Sequence, residues 1–240
     1  MYEPSFTVVM FSTSNILNYS ALSAELNRRY CQTHGYRFVH EIYDRVGITP
    51  SHEKLRVISR HIEWTDYILW IDSDACVIDY RVPLTSFTRG DADLIIAGHD
   101  FGFDLAGRRV AYRLKGRPSG LNAGVFMLRN SAWTAEFLRR WWQLCIEGAR
   151  VPTALVEQGQ LQAMLQENTC DLQDHIDLVV PCSRLNRCDD RGENVCEFIL
   201  HLWGSGGEER ERVFSELLQG RKPDIPISLP SFDTTWPRPF

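Results

Sequence analysis

The chain has 240 residues, 44% hydrophobic and 11% aromatic, with a formal net charge of −5. A chain of this length buries roughly 70–75% of its unfolded surface, enough for one compact domain with embellishments, which excludes disorder as the main theme. The acidic balance, with no basic stripe interleaved with aromatics, argues against nucleic acid or an anionic membrane as partner.

In chain order, FTVVMFST (6–13) is a β-branched and aromatic run of strand length. Ser20 to Tyr30 then places apolar residues at helical spacing, with Gly35 as the expected stop. YRFVHEIY (36–43) alternates apolar and polar, SHEKLRVISRHIEW (51–64) reads as a helix opened by Ser51, and YILWID (67–72) is nearly continuously apolar, as in a strand covered on both faces. DLIIAGHD (93–100) and NAGVFMLR (122–129) read as further strands, and Ser131 opens a helical pattern that ends at Gly148. A helix at ALVEQGQLQAMLQ (154–166), short strands at LVV (178–180) and FILHL (198–202), and the helix EERERVFSELLQG follow. Segments 44–50 and 101–119 read as loops, the second carrying Arg108, Arg109, Arg113, Lys115 and Arg117.

The strand-helix alternation predicts an α/β fold with a mainly parallel central sheet flanked by helices. It predicts a single domain over 1–220, followed by a proline-rich tail over 221–240 packed on the surface. No apolar run approaches the ~20 residues of a spanning helix, so no transmembrane segment is expected, and the N-terminal stretch lacks the features of a signal peptide. Cytoplasmic localisation is the resulting expectation. The seven cysteines form no C-x-x-C pair. Reduced thiols are expected, with disulfides among Cys170, Cys182, Cys188 and Cys196 left open.

Asp72-Ser73-Asp74 stands where an oily strand ends, and ligands of open α/β sheets bind beyond the carboxyl ends of strands. Two neighbouring carboxylates at a buried edge repel each other, so a divalent cation is the economical compensation, the alternative being capping or simple solvation. Carboxylate oxygens select hard cations such as Mn²⁺ or Mg²⁺, which keep positions open for phosphate oxygens. Phosphatases of the haloacid-dehalogenase type also carry a D-x-D, but normally at the close of the first strand. Here some 65 residues precede it.

The order and spacing of YCQTHGYRFVHE (30–41), EKL (53–55), LWIDSDACVID (69–79), LNAGVFMLRNSAWTAEFLRRWW (121–142), EQGQLQAML (157–165) and HLWG (201–204) resemble a known family. It is that of the retaining α-glycosyltransferases of the galactomannan galactosyltransferase, xyloglucan xylosyltransferase and fungal mannan type, with features shared by glycogenin. The resemblance implies a GT-A fold and transfer of a hexose or pentose from a UDP- or GDP-sugar to a glycan acceptor, with Mn²⁺ or Mg²⁺ as cofactor. It implies Asp72, Asp74 and His201 as metal ligands, and Phe11, Ser12, Thr13, Lys54, Asp72, Ser73, Asn122, Ala123 and Gly124 as donor contacts. Glu157 and Gln158 would stand near the anomeric carbon, Gln158 stabilising positive charge on a front-face retaining route, with Asp100 holding a sugar hydroxyl. Taken by themselves these residues keep ordinary readings: a strand-to-loop transition at 11–13, a solvated Lys54, a bulge at Gly124, an acidic first helical turn at Glu157 and a packed His201.

The relatives place a lysine shortly after H-x-x-G, whereas this chain reads HLWGSGGEERER with no cation at 205–207. Backbone N–H groups at the following helix, Arg210, or the basic loop 108–117 are the alternatives for meeting a diphosphate. The competing functional classes are a weakly active sugar- or nucleotide-binding protein on the same fold and a metal-dependent phosphatase.

Overall fold

The computed structural model describes residues 3–88, 90–148, 156–187 and 194–229. The expected helical residues 154 and 155, Cys188, and the tail beyond 229 lie outside them.

The described strands are β1 (Phe6–Ser12), β2 (Arg37–Ile42), β3 (Tyr67–Ile71), β4 (Ala75–Val77), β5 (Leu94–Ala97), β6 (Phe101–Phe103), β7 (Arg109–Ala111), β8 (Arg113–Leu114), β9 (Arg117–Pro118), β10 (Val125–Arg129), β11 (Ile176–Val179) and β12 (Ile199–His201). The helices are α1 (Leu17–His34), α2 (Pro50–His61), α3 (Ala132–Gly148), α4 (Val156–Glu167), α5 (Leu172–His175) and α6 (Gly207–Leu218). Six strands form the main sheet in the order β11-β5-β10-β3-β1-β2.

Side chains alternate across this sheet with the period of two that extended backbone imposes. Val8, Met10, Leu69, Ile71 and Met127 face one way, against Tyr30 and Cys31 of α1 and the β4–β12 pair. Val9, Phe11, Ile68, Trp70 and Phe126 face the other, against α2, α3 and α4. A third cluster joins Tyr19 and Leu26 of α1 to Cys76, Leu200 and the apolar face of α6, and takes in Ile227 and Leu229 from the chain after α6. The double cover explains why β1 and β3 read as unbroken apolar runs, while the edge strand β2 is only half-buried.

Four differences from the sequence reading have local causes. Within the mainly parallel sheet, β10 runs antiparallel to both β3 and β5, while β1–β2, β1–β3 and β5–β11 are parallel. Helix α2 opens at Pro50, preset for a first helical turn, and its cap position is Thr49 rather than Ser51. Segment 101–119 is not an open loop but two hairpins, β6–β7 and β8–β9. Lys115 and Gly116 turn the second of these with positive φ at both (49° and 79°), as a two-residue hairpin loop demands. Cys182 is disulfide-bonded, against the expectation of reduced thiols, although Cys31, Cys76, Cys145, Cys170 and Cys196 are free. Gly35 stops α1 as expected, with a left-handed φ of 70°. No helix among the described residues is long and apolar enough to cross a membrane.

Candidate active site

The antiparallel course of β10 builds the site. β1, β3 and β5 all end at one edge of the sheet, and a strand running against them begins there. Val125 is therefore paired with Ile71, and the residues just before β10 meet those just after β3. The Asp72 amide donates to the Gly124 carbonyl at 2.8 Å. The small sheet adds the third component: His201 is paired with Ala75 across β12–β4, and the Leu202 amide donates to the Asp74 carbonyl at 2.9 Å. Residues distant in sequence thus converge on the D-x-D.

Asp72, Asp74 and His201 each offer one ligand atom within 4.8 Å of the others. The His201 imidazole fills the space over Gly124, and its Nδ1 is buried without a hydrogen-bond partner. Such a nitrogen costs about 1–3 kcal/mol unless something takes its lone pair or proton. Two carboxylates and an imidazole fit a divalent cation of the Mg²⁺ to Mn²⁺ type.

The two aspartates are supported differently. Asp72 Oδ1 accepts from the Trp70 indole at 2.7 Å and lies 3.1 Å from Lys54 Nζ. Burial raises the Asp72 pKa against the pull of Lys54 and His201. For Asp74, burial also opposes ionisation, but His201 (Nε2 to Oδ1, 3.2 Å) and Arg210 (Nη2 to Oδ2, 2.7 Å) outweigh it and draw the pKa down to about 2. Ser73 turns away from the aspartates, donating to the Phe11 carbonyl at 2.5 Å and lying 3.0 Å from Ser12 Oγ, which in turn lies 2.8 Å from His40 Nε2.

Beside the aspartates lies a cleft of about 160 Å³ walled by Phe11, Ser12, Thr13, Tyr19, Lys54 and Asp72. Lys54 is only 2% exposed. Its ammonium group donates to the Ala123 carbonyl at 2.8 Å and lies 3.4 Å from Glu157 Oε1 as well as near Asp72. Burial would lower its pKa, but Asp72 and Glu157 prevail and raise it. Lys54 is thus an internal tie between the end of β3 and the start of α4.

Glu157 and Gln158 are both buried in the first turn of α4, and Trp141 fixes that turn by donating to the Glu157 carbonyl at 2.8 Å. Gln158 Oε1 accepts from the Ala123 amide at 3.0 Å, and Gln162, one turn on, accepts from the Leu121 amide at 2.9 Å. Spacing of four residues puts both amides on one helix face. Asn122 Oδ1 accepts from the Gly124 amide at 3.0 Å and from Asn186 at 3.4 Å. Asp100 lies beyond β5, paired with Arg113 of β8 at 2.7 Å. The sequence-predicted residues form a cleft-side group (Phe11, Ser12, Thr13, Lys54, Asp72, Ser73, Asp74) and a group joined to it through Lys54 and His201 (Asn122, Ala123, Gly124, Glu157, Gln158), while Asp100 stands apart on Arg113. Trp70, Tyr19, Gln162 and Asn186 were not anticipated. Trp70 and Gln162 read as ordinary core positions, and nothing local marks Tyr19 or Asn186.

Comparison with known proteins gives a consistent class. Residues 107–210 match the galactosyl transferase GMA12/MNN10 family, a stretch that holds Asn122, Gln158 and His201 but not the D-x-D. Galactomannan galactosyltransferase 1 of Cyamopsis tetragonoloba is 27% identical over 121 residues, covering 47% of this chain and 25% of that protein. Xyloglucan 6-xylosyltransferase 4 of Arabidopsis thaliana is 29% identical over 134 residues, covering 52% of this chain and 23% of that one. The chain thus spans about a quarter of the length of these curated relatives.

Two solved structures share the fold over 88% of the chain. A glycosyltransferase involved in glycosylation of the major capsid of PBCV-1 has a TM-score of 0.60 at 17% identity, with 99% of that chain covered. The galactosyltransferase LgtC, solved with donor and acceptor sugar analogues, has 0.56 at 15% identity, with 95% covered. The matching family, the relatives and the solved structures are all of glycosyltransferases, and the fold this chain shares with those structures is of GT-A architecture.

Proposed function

We propose that the chain transfers a hexose or pentose from a UDP- or GDP-sugar to a glycan acceptor, with retention of anomeric configuration and dependence on Mn²⁺ or Mg²⁺. The observation that carries this reading is the Asp72, Asp74 and His201 cluster, whose two aspartates line the cleft. A divalent cation bound there supplies Lewis-acid stabilisation of the leaving diphosphate.

In this reading Phe11, Ser12 and Thr13 hold the nucleoside, with Ser73 and the end of β3 beneath it. Phe11 already packs against Tyr43, ring centroids 4.6 Å apart, giving that wall an aromatic face. Lys54 bridges Asp72 and Glu157 and so sets the distance between donor site and reaction centre. Asn122, Ala123 and Gly124 form the floor under the sugar. Gln158, its oxygen fixed by the Ala123 amide, retains a second lone pair for positive charge developing at the anomeric carbon. Asp100 receives a sugar hydroxyl at the far wall.

The test is a thermal-shift panel of UDP- and GDP-sugars with and without Mn²⁺. A specific ligand at 100 times its dissociation constant stabilises by about 2.7 kcal/mol. Stabilisation by one nucleotide sugar that requires Mn²⁺ is expected, and a flat panel rejects the reading.

A further inference from the structure

Arg210, in the first turns of α6, reaches the D-x-D from outside the strands that build the site. Its Nη2 lies 2.7 Å from Asp74 Oδ2, its Nη1 donates to Tyr19 Oη at 3.2 Å, and its Nε donates to the Leu202 carbonyl at 3.3 Å. The guanidinium carbon lies 5.1 Å from the Tyr19 ring centroid. Two of its three anchors are therefore independent of Asp74, so the planar fork stays on Tyr19 and the Leu202 carbonyl if Nη2 releases the carboxylate. The side chain is 19% exposed, and Tyr19, which holds it, lines the cleft. A guanidinium on a carboxylate of the candidate metal cluster repels an incoming divalent cation, while its fork suits phosphate oxygens. Lys54, by contrast, is committed to internal partners.

Building on the glycosyltransferase reading, we propose that Arg210 is a cation shared between Asp74 and the donor diphosphate. It neutralises Asp74 before ligands bind, and turns its Nη2 edge to the diphosphate when a metal ion takes that carboxylate. Metal and nucleoside diphosphate then bind as a coupled pair, because only the anion relieves the repulsion between the two cations. The cation lies three residues beyond Gly207, the last of the glycines at 204, 206 and 207, so the segment after H-x-x-G needs none of its own.

The test is calorimetric titration of Arg210→Gln and Arg210→Lys with MnCl₂ alone, then with UDP and GDP at saturating Mn²⁺. Arg210→Gln is expected to bind Mn²⁺ alone about tenfold more tightly and the nucleoside diphosphate at least about tenfold more weakly, whereas Arg210→Lys, which keeps the charge but not the fork, falls between wild type and Arg210→Gln on both. Opposite signs on the two ligands are not produced by loosened packing, and thermal melts of the two variants check that both fold. Unchanged or weaker Mn²⁺ binding in Arg210→Gln overturns the competition at Asp74. Unchanged nucleotide affinity overturns the role toward phosphate. If the wild-type protein binds neither UDP nor GDP, the functional reading fails, and the Mn²⁺ arm still decides whether Arg210 competes for Asp74.

Discussion

The His201 ring packs so closely on Gly124 that a β-carbon at 124 would stand 2.1 Å from Cε1 and 2.9 Å from Nε2. The glycine leaves room for the imidazole, and no left-handed backbone calls for it, since Gly124 is not among the glycines of positive φ. Gly124→Ala therefore has to displace His201 or the strand ends around it. The expected result is Mn²⁺ affinity lower by about 10–100-fold and a loss of about 1–3 kcal/mol from overpacking. Titration with Mn²⁺ and urea unfolding measure the two separately. Lost stability with intact Mn²⁺ affinity would return His201 to a packing role.

Lys54→Met leaves Asp72 and Glu157 facing each other across a buried space that an ammonium group now fills. Breaking a buried pair by removing one partner costs about 3–5 kcal/mol. Urea unfolding is expected to fall in that range, and adding Glu157→Gln is expected to recover part of it by removing the uncompensated charge. A cost below about 1 kcal/mol would mean that solvent, and not Lys54, satisfies these carboxylates.

The elements of the sheet were legible because both of its faces are covered: full burial forces the continuous apolar runs at 6–12 and 67–71. The D-x-D was legible for the converse reason, two charges standing where an oily run ends. The direction of β10 was not, since side-chain pattern is the same in parallel and antiparallel strands, yet that direction brings Gly124 to Asp72. Pairing of Ala75 with His201 was equally hidden, because strands of three residues carry too little periodicity to register. The hairpins over 101–118 were obscured by five cations that suggested a solvated loop. Arg113 is spent on Asp100, Arg108 on Asp104, and Arg117 on the Leu178 carbonyl at 2.6 Å.

His40 supplies a pH dependence away from the metal ligands. Burial, helped by Arg28, lowers its pKa to about 4 from an ordinary 6.5. The folded protein thus holds a neutral ring while the unfolded chain takes up a proton below about pH 6.5. Stability from this group is fully present above that value and is lost as pH falls toward 4. Urea midpoints at pH 7.5, 6 and 5 should decline for wild type and decline less for His40→Asn. Parallel slopes in the two proteins would contradict a neutral His40 in the fold.

Gln158 and Gln162 offer a matched pair for separating chemistry from architecture. Both sit on one face of α4, and both accept a backbone N–H from the segment before β10, at 3.0 and 2.9 Å. They differ in reach. Gln162 is 1% exposed and its amide nitrogen also donates to the Ser119 carbonyl at 3.2 Å, so its hydrogen bonds close within the protein. Gln158, at 9% exposed, has one oxygen contact and stands a turn nearer the Lys54–Glu157 pair. Gln162→Ala should cost about 1–3 kcal/mol of stability by orphaning a buried N–H and C=O, with kcat within about threefold of wild type. Gln158→Ala should lose about 10–1000-fold in kcat with little change in donor KM, because an amide oxygen facing developing positive charge acts mainly in the transition state. Steady-state kinetics of both variants with the nucleotide sugar selected by thermal shift, alongside their urea curves, is the measurement. Wild-type kcat in Gln158→Ala would make that glutamine a second copy of Gln162, a clamp on the chain before β10, and would leave the face of the sugar to Asn122 and Asp100.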